Sequence, residues 1–122
     1  MAKDGDLKAG ESAAKTIVEE TYFNDYVAHS AIEPHTAIAN IEGDKATVWV
    51  STQNPFTCKE EIAKEIGFPS QNVRVITPYV GGGFGGKTRN LQAAEAARLA
   101  KATGKPVQVA YKTSADTAAV RR

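Results

Sequence analysis

The stretch ANIEGDKATVWVS, Ala39 to Ser51, carries the reading on which the fold turns. Glu42-Gly43-Asp44 is turn chemistry. On its far side Ala46, Val48 and Val50 alternate with Thr47, Trp49 and Ser51, the period of two expected of a half-buried strand. Preceded by an extended stretch from His29 to Ile41, this pattern predicts a β-hairpin. A hairpin here argues against a fold built purely from parallel strand–helix–strand units.

The flanking segments complete the outline. Met1 to Ser12 is small, charged and glycine-containing, with no period that would bury a face, so residues 1–14 are expected to be a flexible leader or linker. Thr16, Ile17, Val18, Thr21, Tyr22, Phe23 and Tyr26 are β-formers and predict a strand over Lys15 to Tyr26. Asn54 before Pro55 reads as a helix cap followed by proline at the first helical position, with Cys58, Ile62, Ala63 and Ile66 on one face and Gly67 as the stop. Asn72 to Thr77 predicts a short buried strand through Val73, Val75 and Ile76. Leu91 to Thr103 is an alanine-rich helix closed by Gly104 and Pro106, and Val107 to Tyr111 is the last strand. The order β-β-β-α-β-loop-α-β predicts an α+β fold with a mixed sheet, a hairpin and two helices.

Composition removes several functional classes. Of 122 residues, 15 are Lys or Arg and 14 are Asp or Glu, so no net field draws nucleic acid or an anionic membrane. Apolar runs such as Ala46 to Val50 are far short of a membrane span. The lone Cys58 rules out an internal disulfide and suits a reducing cytosol, and it is expected to be a small, semi-buried filler. A cytoplasmic location is expected, with a periplasmic one left open.

Between the fourth predicted strand and the alanine-rich helix lies Gly81-Gly82-Gly83-Phe84-Gly85-Gly86-Lys87-Thr88, which satisfies two nucleotide-binding patterns at once. As GxxxxGK[ST], Gly81, Gly86, Lys87 and Thr88 would cradle a phosphate, making a small phosphate- or nucleotide-binding module the alternative function. As GxGxxG, Gly81, Gly83 and Gly86 would mimic a dinucleotide fingerprint. Both patterns also want an acidic residue closing a later strand, and Val107 to Tyr111 is followed by Lys112. Glycines in this number give main chain that adopts positive φ and approaches a bulky polar ligand closely, with Phe84 as an aromatic wedge.

The string VGGGFGGK, Val80 to Lys87, resembles the molybdenum-centre loop of the xanthine dehydrogenase and aldehyde oxidase family of molybdenum hydroxylases. HSAIEPH at His29 to His35, STQNP at Ser51 to Pro55 and GFPSQNVRVI at Gly67 to Ile76 resemble other segments of that family in order and spacing. The resemblance runs from about Tyr22 to Tyr111. It implies that residues 15–122 are the N-terminal part of a molybdopterin-binding domain, a fragment expected to be inactive by itself and without cofactor when isolated. The complete protein would be an oxidoreductase hydroxylating aldehydes or N-heteroaromatics such as isoquinoline, with oxygen derived from water. Its cofactor would be molybdopterin, the dinucleotide form left open. Its partners would be the rest of the large subunit, iron-sulfur and FAD domains or subunits, and a small-molecule substrate.

The family's metal is held by the pterin's dithiolene, so the protein supplies positioning and hydrogen bonds. By resemblance, Gln53 bonds an oxygen on molybdenum, Phe84 and Gly85 border substrate and cofactor, and Gly82, Gly83 and Gly86 give backbone access. The family's general-base glutamate lies much later in the subunit, and no candidate for it occurs here. At Thr88 purine-hydroxylating members carry a glutamate, which makes xanthine a poor substrate guess.

Three smaller readings remain. His29, Glu33 and His35 share a face if the strand is regular, so a metal site is conceivable, but Pro34 interrupts the pairing and a structural role near the cofactor cleft is preferred. Trp49 and Phe23 are expected in the core. Glu95, Arg98 and Lys101 are expected to form a solvated helix face.

Overall fold

The alternation at Ala46, Val48 and Val50 is realised as a strand whose three small and branched side chains are all buried, while Trp49 faces the other way. The computed structural model describes residues 4–25 and 29–112. Strand β1 (Thr36–Glu42) pairs antiparallel with β2 (Lys45–Val50), with Glu42 opposite Lys45 across a tight Gly43-Asp44 turn in which Gly43 has φ 61°. β3 (Val73–Ile76) lies parallel to β2, and β4 (Val107–Ala110) antiparallel to β1. The sheet order is β3-β2-β1-β4, so it is mixed, as the order of elements requires.

Helix α2 (Pro55–Ile66) links the parallel pair β2 and β3, and α3 (Leu91–Thr103) links β3 to the edge strand β4. Both helices pack on one face of the sheet. Ala37, Ala39, Ala46, Val48, Val50 and Val73 meet Cys58, Ile62, Ala63 and Ile66 from α2 and Ala93, Ala96, Ala97 and Ala100 from α3. Burying an isoleucine contributes roughly 1.5–3 kcal/mol, so Ile62 and Ile66 anchor α2, whereas the four alanines let α3 approach β1 closely. Both helices end on a left-handed glycine, Gly67 at φ 67° and Gly104 at φ 65°. No helix among the described residues is long and apolar enough to cross a membrane.

Several expectations need correction. No strand forms over residues 15–25, and Tyr26 lies outside the described residues; Ile17, Val18, Tyr22 and Phe23 are exposed because the sheet offers them no paired edge. Phe23 is therefore not core, and Trp49, at 38% exposure, sits on the sheet's open face. A short helix α1 (Leu7–Ala13) stands where an irregular segment was expected, because Asp6 caps it by accepting from the N–H groups of Lys8 and Ala9; it buries nothing. Asn54 occupies the cap position of α2 without a side-chain cap bond. Instead, its own N–H donates to the Thr52 hydroxyl. Cys58 is fully buried rather than semi-buried, and burial, reinforced by the Glu61 charge, pushes its thiol up to about 12.

The α3 face is less solvated than expected. Lys101 donates to the Ile66 carbonyl at 2.6 Å and lies 5.2 Å from the Phe68 ring centroid, while Glu95 accepts from the Tyr111 hydroxyl at 2.9 Å. Arg98 makes an exposed pair with Glu65 at 3.6 Å.

Candidate functional site

The glycine loop emerges from β3 and re-enters the fold at α3, so its two ends are set by the sheet and the helix. Its geometry is enforced from two directions by neighbouring chain. One is Glu33, which lies before β1. Its Oε2 accepts from the Ser51 hydroxyl at 2.7 Å, the Gly81 N–H at 2.7 Å and the Lys87 ammonium at 2.5 Å. The other is Gln53, between β2 and α2, whose Oε1 accepts from the N–H groups of Gly85 at 3.0 Å and Lys87 at 3.3 Å. The Gln53 backbone N–H donates to the Lys87 carbonyl at 2.9 Å, and His35 Nε2 lies 3.1 Å from the Gly86 carbonyl oxygen.

Lys87 is 1% exposed. Lysine is almost never buried so completely without a partner, and Glu33 is that partner. Burial alone would raise the Glu33 carboxyl, but it is outweighed by the hydrogen bonds from Lys87, Ser51 and Gly81 and by the Lys87 charge, which together hold it below the ordinary carboxylate value. The Glu33 side chain is 29% exposed, so the larger cost falls on removing the carboxylate, which leaves the buried Lys87 ammonium uncompensated, up to about 3–5 kcal/mol.

Behind the loop, buried Thr52 and Asn90 form a second tie. The Thr52 hydroxyl donates to Asn90 Oδ1 at 2.6 Å and the Asn90 amide donates to Glu61 of α2 at 2.9 Å.

The close approaches explain which glycines the loop needs. A Cβ on Gly81 would stand 2.7 Å from Glu33 Cβ, and one on Gly83 would stand 2.6 Å from Gln53 Oε1. Gly82 and Gly85 have φ of 97° and 93°, which only glycine adopts without strain. Gly86 would bring a Cβ to 3.3 Å from His29 Cβ. Phe84 takes φ 53° despite its side chain and is 72% exposed. A non-glycine residue in that region costs on the order of 1–3 kcal/mol and persists only where its surroundings impose it.

Counting donors separates the possible ligands. The N–H groups of Gly81, Gly85 and Lys87 go to Glu33 and Gln53, that of Gly86 to the Gly83 carbonyl at 2.7 Å, and that of Thr88 to the Gly85 carbonyl at 3.3 Å. A phosphate cradle requires those same N–H groups and a free lysine ammonium, and here both are spent internally. The nucleotide-binding alternative is therefore not supported. Among the described residues, the N–H groups of Gly82, Gly83 and Phe84 and the Gln53 amide NH₂ make no hydrogen bond. These neutral donors beside an exposed aromatic ring suit a bulky polar group such as a pterin, held by main chain rather than by ligating side chains.

Gln53 thus stands against the loop that carries Gly82, Gly83, Phe84, Gly85 and Gly86. His29, Glu33 and His35 do not sit on one regular strand; Ser30 turns the chain at φ 41°. Glu33 and His35 bind the loop, and His29 packs beside Gly85 and Gly86. Sequence reasoning missed Ser51, Thr52 and Asn90 and gave Glu33 and Lys87 other roles. The one available signal was a lysine inside a glycine loop, which needs a carboxylate if buried, but Glu33 lies 54 residues away. A groove of about 600 Å³ between α2 and the start of α3, lined by Glu61, Lys64, Glu65, Arg89 and Leu91, contains none of the predicted site residues.

Comparison with known proteins places the chain. It belongs to the molybdopterin cofactor-binding domain family, whose model matches residues 1–122. It is 41% identical over 106 residues to the aldehyde oxidoreductase molybdenum-binding subunit PaoC of Escherichia coli O157:H7, covering 86% of this chain and 14% of that protein. Against the nicotinate dehydrogenase large molybdopterin subunit of Eubacterium barkeri it is 36% identical over 106 residues, covering 86% of this chain and 25% of that one. The fold matches the crystal structure of quinoline 2-oxidoreductase from Pseudomonas putida 86 with a TM-score of 0.71 at 24% identity, over 88% of this chain and 14% of that chain. The chain spans between about a seventh and a quarter of the length of these proteins.

Proposed function

We propose that the chain forms the opening part of the molybdopterin-binding domain of a molybdenum hydroxylase subunit, with residues 15–122 in the domain and residues 1–14 a leader or linker. The complete protein hydroxylates an aldehyde or an N-heteroaromatic carbon with oxygen from water, and passes the electrons to iron-sulfur and FAD domains or subunits. The observation that carries this reading is the distribution of donors in the loop. Among the described residues, the N–H groups of Gly82, Gly83 and Phe84 and the Gln53 amide remain to meet a ligand, and they lie around an exposed phenylalanine.

When bound, the molybdenum cofactor supplies the redox chemistry of hydroxylation. This chain's residues hold and orient. The Gln53 carboxamide, its oxygen already engaged by Gly85 and Lys87, would offer its NH₂ to the cofactor at the metal. Gly82, Gly83 and Gly86 would let main chain lie against the pterin, and Phe84 and Gly85 would border cofactor and substrate. Thr88, in place of a purine-orienting glutamate, favours substrates other than xanthine. The general base comes from elsewhere in the subunit, so the 122-residue chain alone is inert and takes up no cofactor.

The test uses the complete subunit carrying this stretch. Gln53→Ala should lower aldehyde or N-heterocycle turnover, measured per bound molybdenum, by about 10²-fold, the usual effect of removing one positioned donor at a reacting centre. Phe84→Ala should lower turnover or shift substrate preference. Unaltered kinetics in both variants would refute the site. Stoichiometric molybdenum in the purified 122-residue chain would refute its inertness.

A further inference from the structure

We propose that Glu33 and Lys87 are positioning residues, whose part-buried ion pair closes the glycine loop into the conformation that presents Phe84 and Gly85 to the cofactor. The proposal rests on the reading of the loop given above and adds the device that sets its shape. A single carboxylate oxygen holds both ends of the loop: Glu33 Oε2 takes the Gly81 N–H where the loop begins and the Lys87 ammonium where it ends. Ser51, at the end of β2, donates to the same oxygen and ties the clasp to the sheet.

Between these ends stand two residues with φ near 95°, Gly82 and Gly85, and Phe84 at φ 53°. A chain of glycines free to sample both signs of φ would not rest in that state unless its ends were pinned. Gly81 can reach Glu33 only without a side chain, since a Cβ would stand 2.7 Å from Glu33 Cβ. With Lys87 drawn inward, its backbone N–H meets Gln53 Oε1, so the ion pair and the Gln53 bonds are formed by one turn of chain. Lys87, which by motif would neutralise a phosphate, is instead the internal pin.

The experiment uses the complete subunit produced without cofactor, so that loop protection reports the clasp alone. Glu33→Gln strands a buried lysine and is expected to lower Tm sharply. The paired swap Glu33→Leu with Lys87→Met removes both charges together, a replacement that buried pairs often tolerate, and is expected to keep Tm within a few degrees of the parent. In that double variant, deuterium uptake at Gly85 and Gly86, whose N–H groups Glu33 does not touch, should accelerate at least ten-fold, while α2 and α3 stay protected. Molybdenum occupancy after cofactor loading should fall several-fold. Unchanged protection at Gly85 and Gly86 would overturn the clasp. Faster exchange with full molybdenum occupancy would also overturn its role toward the cofactor. In that case the Gln53 and Phe84 variants tell whether the functional reading fails with it: altered turnover there keeps the site, and unaltered turnover removes both.

Discussion

Gly81 and Gly83 both stand too close to a neighbour to carry a side chain, yet the consequences of adding one differ. At Gly81 the obstacle is Glu33 Cβ at 2.7 Å, an atom fixed to the main chain, so a methyl group must move backbone. Gly81→Ala is expected to destabilise the fold by about 1–3 kcal/mol, the range for overpacking. At Gly83 the obstacle is the Gln53 carboxamide, at 2.6 Å to its oxygen, which is the far end of an exposed side chain and can swing away. Gly83→Ala should therefore cost less than about 1 kcal/mol while displacing the Gln53 amide. Urea denaturation of the two variants checks the order; equal losses would mean that Gln53 is held as rigidly as Glu33.

At the scale of elements, the contrast between α2 and α3 is one of side-chain size. α2 fills its interface with Cys58, Ile62 and Ile66, whereas α3 presents Ala93, Ala96, Ala97 and Ala100, each at 1% exposure or less. Such a face leaves no space for larger groups, since interiors are packed at crystal-like density. Ala96→Leu is expected to push α3 off β1 and to destabilise by about 1–3 kcal/mol or more, read as a lower urea midpoint with an unchanged slope. A neutral result would reveal an unfilled space beneath the helix. The register of α3 also matters to the site: Asn90, the residue immediately before α3, donates its side-chain amide to Glu61 of α2 rather than capping the helix, so a displaced α3 carries the end of the loop with it.

For the whole molecule, the apolar surface left outside is as informative as the core. Ile38 and Trp49 face away from the helices on the open side of the sheet, and Ile17, Val18, Tyr22, Phe23, Ile32, Phe56, Tyr79 and Phe84 are more than 60% exposed. Apolar side chains exposed in this number favour association with other polypeptide where they lie side by side. The isolated chain is expected to bind 8-anilinonaphthalene-1-sulfonate in its folded state and to self-associate with rising concentration, as seen by light scattering. A monomer that is silent toward the dye at all concentrations would contradict this.

The hairpin, α2, α3, β3 and β4 could be read along the chain because each is announced by local chemistry: period-two alternation from Ala46 to Val50, proline at the start of α2, and glycine at both helix ends. The candidate site could be named from the sequence for the same reason, since Gln53 and Gly82 to Gly86 lie in contiguous motifs. The partners that give the loop its shape were not. Glu33 and Lys87 are 54 residues apart, and Thr52 and Asn90 are 38 apart, distances over which no propensity or period carries information. The β-forming run from Lys15 to Phe23 failed as a strand for the complementary reason, that propensity supplies no edge to pair with. Local pattern chose the elements; long-range pairing of buried charge and hydrogen bonds chose how the glycine loop stands among them.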